Sequence, residues 1–194
     1  MKNSRQLQKE NTRNVIMNTA MQQFARNGLL ATKTSDIAQA AKVSHGTIFS
    51  HFPTREALLE EVIESFGIQL SARLHELADQ SGSLEDVLKA HMIGISEQED
   101  FYRCLIVESS QLSETSRNCI IMIQSAISFH MIQIVEIEKR EGKIRDIEGS
   151  FLFNTWIGLI HHYLINRDLF GREGSFYERN GKDLVQKFLA LIKS

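Results

Sequence analysis

One proline in 194 residues, Pro53, constrains this chain more than any other single feature. Proline removes a backbone donor and clashes within a helix interior, so a chain almost free of it can run helix after helix without interruption. No series of alternating Val, Ile and Thr runs separated by Asn-Gly or Asp-Gly turns competes with that reading. The fold class expected is therefore all-α. Composition agrees, with 42% hydrophobic and 24% charged residues, the range of a folded globular chain rather than a disordered one.

Charge sorts the chain into two parts. The total is −2, but Met1 to Ala57 holds eight Lys or Arg against three acids, a net of +5, and the remainder carries −7. A basic module that meets phosphate, joined to an acidic one that does not, has this asymmetry. The domains expected are 1–56 and 57–194. Cys104 and Cys119 form no CxxC and have no histidine at zinc-finger spacing, so they read as reduced thiols. His91, His130, His161 and His162 lack an HExxH or a carboxylate at fixed spacing, and neither a metal nor a cofactor is expected. With no nucleophile elbow or phosphate-cradling glycine loop, the chain does not read as an enzyme. The polar start, Met1 to Glu10, has no signal-peptide character, and the apolar stretch Phe151 to Ile165 is too short to span a bilayer. A cytoplasmic protein without membrane contact is expected.

In the basic module, Val15, Ile16, Thr19, Ala20, Phe24 and Ala25 fall on one stripe of a helix that stops at Asn27-Gly28. Thr34 is placed to cap a second helix with Ile37, Ala38 and Ala41 inward. Lys42-Val43 makes the turn, and Ser44 caps a third helix with Ile48 and Phe52 inward. Two short helices around a tight turn, spanning about residues 34–52, make a helix-turn-helix whose second helix enters the major groove of DNA. The outward positions of that helix are Ser44, His45, Gly46, Thr47, Phe49, Ser50 and His51, with no acid among them to oppose phosphate.

The run TSDIAQAAKVSHGTIFSHFPTREALL, within Arg13 to Leu59, resembles the DNA-binding domain of the tetracycline-repressor (TetR) family. The resemblance implies a three-helix DNA-binding domain joined to a larger helical domain that dimerises and binds a small effector, releasing DNA. By position it implies phosphate contacts at Thr34, Phe49, His51 and Arg55 and base contacts at Ser35, His45, Gly46 and Thr47, with Lys33 and Ser44 beside them. The chain departs from the family pattern at Lys42, where the turn usually has glycine, and at Phe49, usually a tyrosine.

In the acidic module the periodicity predicts a long helix after Pro53 and Thr54, through Leu58, Phe66 and Leu70 toward Ala78, broken at Ser81-Gly82-Ser83. Helices over Leu84–Ser96, Phe101–Leu112, Ser116–Arg140, Ser150–Asn166 and Lys182–Lys193 follow, the last two separated by the loop Gly171 to Gly174. Phe66, Leu70, His91, Met92 and Phe101 are candidates to line an effector pocket, as are Tyr102, Met122, Phe129 and Trp156. An apolar or aromatic effector would suit them. The Ser150–Asn166 helix is apolar on two faces and so needs cover on two sides. Phe153, Ile157, Ile160 and Leu164, with Leu184, Phe188 and Leu191 from the last helix, are the expected homodimer interface, a four-helix bundle with their symmetry mates. The expected function is a ligand-released repressor binding a pseudo-palindromic double-stranded operator. A scaffold or ligand-binding protein that keeps the helix-turn-helix only as a fold, and a DNA-binding activator, stay open.

Overall fold

A computed structural model describes residues 4–78, 82–170 and 174–194. Among them there is no strand, only an isolated antiparallel bridge between Ile144 and Lys193. The helices are α1 (Ser4–Asn27), α2 (Thr34–Ala41), α3 (His45–His51), α4 (Arg55–Ala78), α5 (Leu84–Ser96), α6 (Glu99–Glu108), α7 (Glu114–Arg140), α8 (Gly149–Ile165), α9 (Arg167–Phe170) and α10 (Lys182–Ile192). A 3₁₀ turn over Ser109–Gln111 completes the α6 segment, and a π turn over Tyr177–Gly181 leads into α10.

The chain divides into two compact units, but not at residue 56. Met1–Phe66 and Asp100–Ile120 form the first, and Gly67–Glu99 with Ile121–Ser194 the second. The division cuts through α4, so the helix expected to link two domains belongs to both.

In the first unit, α1 packs on α2 and α2 on α3. Ile16, Phe24, Ile37, Ile48 and Phe52 are fully buried, as their helical spacing requires. Val15 is not on that inner stripe; it is 48% exposed, one position out of phase with Ile16. Phe66 meets two rings from α6, Phe101 edge-on and Tyr102 stacked, each with centroids 5.6 Å away.

Two of the expected break points are resolved. Ser81 lies outside the described residues, but Gly82 has φ +65° and Ser83 caps α5 by accepting from the Asp86 N–H at 3.2 Å. Of the loop Gly171 to Gly174, the first three residues lie outside the described set, and Gly174 has φ +75°.

In the second unit α5 packs against α10. The carboxylate of the buried Glu138 on α7 accepts from the Leu84 N–H at 2.8 Å, satisfying a donor at the start of α5. Trp156 of α8 is fully buried, donates from Nε1 to His91 Nδ1 at 3.1 Å, and lies 5.0 Å from the Phe188 ring. Among the described residues α7, rather than the Phe151 to Ile165 stretch, is long and apolar enough to cross a membrane by length and composition. One stripe of it, Ile127, Met131 and Val135, is buried in the protein.

Burial makes protonation of His91 costly and lowers its pKa from 6.5 to about 3, with His161 a smaller contribution in the same direction. The folded protein therefore keeps His91 neutral where an unfolded chain would bind a proton. Stability is expected to fall as pH drops below about 6.5 toward 3, by up to about 1.4 kcal/mol per pH unit from this one group. In urea denaturation across that window, His91→Asn, which cannot titrate, should show a shallower pH dependence than the wild type.

Candidate nucleic-acid interface

The recognition element begins with caps. α3 starts at His45, and Ser44 Oγ accepts from the Thr47 N–H at 3.0 Å while lying 2.8 Å from Thr47 Oγ1. Ser50 turns its hydroxyl back onto the Thr47 carbonyl at 2.7 Å. Thr34 is not the cap expected of it. Lys33 occupies the capping position of α2 with extended backbone, and the Asp36 carboxylate accepts the Lys33 N–H at 3.2 Å. Thr34 is instead the first helical residue, and its hydroxyl shares a 2.9 Å hydrogen bond with His45 Nε2. That bond joins the start of α2 to the start of α3 and fixes the imidazole on the outer surface.

The turn between them is left-handed at Lys42, with φ +56° and ψ +40°. Among the described residues it is the one non-glycine with positive φ, a conformation costing an L-residue roughly 1–2 kcal/mol. The Val43 N–H donates to the Ala38 carbonyl at 3.0 Å and the Lys42 N–H to that of Gln39 at 3.2 Å, closing the end of α2. The lysine thus takes the geometry for which the family's glycine is suited.

The outer face carries Lys33, Ser35, Ser44, His45, Gly46, Phe49 and Ser50, all exposed, with Thr34, Thr47 and His51 half-buried. Phe49 packs edge-on against His45, ring centroids 4.9 Å apart, so the residue without the family's hydroxyl supports the imidazole beside it. A Cβ on Gly46 would meet only Ser44 Oγ, at 3.8 Å, so the protein's own packing places no demand for glycine there. His51 is held below the ordinary histidine pKa by burial first, then by the charges of Lys9 and Arg13.

Arg55, expected at phosphate, turns its guanidinium to the protein's own backbone. Its Nε donates to the Thr32 carbonyl at 2.8 Å and its Nη2 to the Leu29 carbonyl, Nη1 lies 3.7 Å from Glu56, and its guanidinium stands 5.7 Å from the Phe24 ring. Its fork is spent inside the protein, on the loop between α1 and α2. Glu108, absent from the residues read from sequence, holds the same loop from the other side. Its carboxylate oxygens accept the Leu29 N–H at 3.1 Å and the Leu30 N–H at 2.8 Å. Gly28 makes room for it: φ is +90°, and a Cβ there would lie 2.8 Å from Glu108 Oε1. Thr32 completes the loop, its hydroxyl donating to the Gly28 carbonyl at 2.7 Å. Glu108 lies 79 residues from Leu29, beyond the reach of any local pattern.

The other candidate sites fare unevenly. Phe66, Phe101 and Tyr102 cluster in the first unit, whereas Leu70, His91, Met92 and Trp156 are buried in the second. Met122 and Phe129 line no interior, being 73% and 67% exposed on α7. Of the expected dimer residues, Phe153, Ile157, Ile160, Leu164, Leu184 and Phe188 are buried in the subunit's own fold, and only Leu191 is open to a partner, at 67% exposure. The second face of α8 holds Phe151, Thr155, Gly158, His162 and Ile165 instead.

Residues 16–62 match the family described as bacterial regulatory proteins, tetR family. That segment, which contains α2 and α3, is of the TetR family. It is 29% identical over 193 residues to the transcriptional repressor KstR2 of Mycolicibacterium smegmatis, covering 93% of this chain and 88% of that protein. It is 26% identical over 144 residues to the HTH-type regulator YuxN of Bacillus subtilis, covering 71% of this chain and 50% of the relative, so the likeness takes in only half of that protein's length. A TetR-family regulator from Agrobacterium tumefaciens shares the fold at a TM-score of 0.80 and 16% identity, with 96% of this chain and all of that one covered. KstR2 of Mycobacterium tuberculosis shares it at 0.70 and 20% identity, over 100% and 97%.

Two substitutions separate the surface from its support. Gly46→Ala should stabilise the fold by roughly 0.5–1 kcal/mol through helix propensity, seen as a higher melting temperature, yet weaken DNA binding by putting a methyl on the outer face. Glu108→Ala should destabilise by about 1–3 kcal/mol in urea titrations, because the Leu29 and Leu30 N–H groups lose their acceptor.

Proposed function

We propose that this protein is a sequence-specific DNA-binding transcriptional repressor, acting as a homodimer and released from its operator by a small molecule. The observation that carries the reading is the outer face of α3, free of acids and built so that Ser44, Thr47 and His45 are held by bonds to neighbouring side chains and backbone. Hydroxyls and an imidazole fixed in this way can read base edges in the major groove, while Lys33 and His51 stand beside them for phosphate.

Pairing two copies is supported by the apolar side chains that the subunit leaves uncovered. Phe151 and Ile165 on α8, Leu191 on α10, and Ile121, Met122 and Phe129 on α7 are all more than 45% exposed. A hollow of about 440 Å³ beside them is lined in part by Ile121, Phe129 and Phe153. These residues replace the buried ones as the proposed dimer surface. For the effector, support comes from His91. Because its Nδ1 accepts from Trp156, the neutral ring carries its proton on Nε2, and that buried atom has no hydrogen-bond partner among the described residues. An apolar effector with one acceptor oxygen would satisfy it. Between Phe66 and Gly67 the α4 backbone passes from the first unit to the second, which gives such binding a covalent route to the recognition element.

Selection of bound duplexes from a random pool tests the reading. A repressor dimer of this kind should return an inverted repeat whose half-sites are about one helical turn, roughly 34 Å, apart. Recovery of no enriched sequence would overturn operator reading, and an enriched single half-site would overturn the dimer.

A further inference from the structure

A hollow of about 550 Å³ opens between the first turns of α1 and the end of α3, lined by Gln6, Lys9, Glu10, Arg13, Ser50 and His51. It lies wholly within the first unit, and its two walls are tied together. Arg13 Nη1 donates to the His51 carbonyl at 2.9 Å, its Nη2 pairs with Glu61, and its guanidinium sits 4.3 Å over the Phe52 ring. The position of α1 is therefore fixed against the last turn of the recognition helix. Lys9 stands one helical turn before Arg13, on the same face, and is exposed.

A helix lying in the major groove has a phosphate backbone on either side, so side chains beyond its far end meet phosphodiester oxygens rather than bases. We infer that this hollow is a phosphate cradle, with Lys9 supplying the charge, Gln6 and His51 hydrogen-bonding to the backbone, and Arg13 positioning the wall. The inference rests on the reading of the chain as a DNA-binding regulator and extends its DNA-contacting surface to α1. It has a polarity of its own, since Glu10 on the rim opposes phosphate. Burial first, and then the charges of Lys9 and Arg13, hold the pKa of His51 down, which places both cations near the imidazole. No base is read here, so the contribution should be independent of sequence.

Fluorescence anisotropy against the selected operator and a mixed-sequence duplex, over a salt series, decides it. Lys9→Ala should weaken both complexes severalfold alike and make the slope of log K against log salt shallower by about 0.9, the value of one lost phosphate contact. Glu10→Gln should strengthen both, a gain that misfolding cannot produce. Lys187→Ala, the same change in net charge on α10, should leave the slope as it is. An unchanged slope for Lys9→Ala, an equal change for Lys187→Ala, or no gain for Glu10→Gln overturns the cradle while the wild type still binds. A wild type that binds neither duplex overturns the DNA-binding reading and the cradle with it.

Discussion

The orientation of the recognition helix depends on how a six-residue loop is held. Residues 28–33 join α1 to α2, bonded to the flanking helices through the Gly28 N–H and the Lys33 carbonyl at their two ends, and buried backbone groups left without partners between them would be costly. Here a carboxylate takes the N–H groups of Leu29 and Leu30, and a guanidinium takes the carbonyls of Leu29 and Thr32. The two charged groups satisfy opposite poles of the same peptide stretch. α2 starts where they leave it, and the Thr34 to His45 bond passes that placement on to α3. The surface proposed to read DNA is thus positioned from behind by the inward hydrogen bonds of Arg55 and Glu108.

That arrangement also explains why the compact units ignore the expected boundary. α6 lies far along the chain, yet its Cys104 sulfur is 3.7 Å from the Ala25 carbonyl, its Phe101 and Tyr102 meet Phe66, and its last residue holds the loop. A signal reaching α6 would act on the loop directly. The division of the chain, with Asp100–Ile120 grouped with the N-terminal helices, is the geometric expression of those contacts.

Much of this was legible in the sequence, and the limit is physical. Single proline, helical spacing and caps foretold an all-helical chain, the inner faces at Ile37, Ile48 and Phe52, and the Ser44 cap, because each is a local property of a few neighbouring residues. The hydrogen bonds of Arg55 to the loop were not legible because sequence shows a basic residue near the recognition helix but not which way it folds. Glu108 was invisible because its partners are 79 and 78 residues away. Residues Ser4 to Asn14 carry too little apolar pattern to announce a helix, so the α1 wall of the hollow was missed with them.

The expected dimer residues other than Leu191 are buried within the subunit for a different reason, which bears on every apolar helix of this kind. Periodicity identifies a buried stripe but says nothing of what buries it, since the transfer of a leucine from water is equally favourable whether its neighbours come from the same chain or another. In α8 the strongest stripe, Leu152, Trp156, Ile160 and Leu164, is taken up within the subunit. What stays exposed is the weaker stripe, in which Phe151 and Ile165 flank Thr155, Gly158 and His162. A surface that must be soluble before it pairs carries such a mixture, whereas a core does not. In α8 the less hydrophobic face is therefore the one proposed for self-association, and the more hydrophobic one serves the fold.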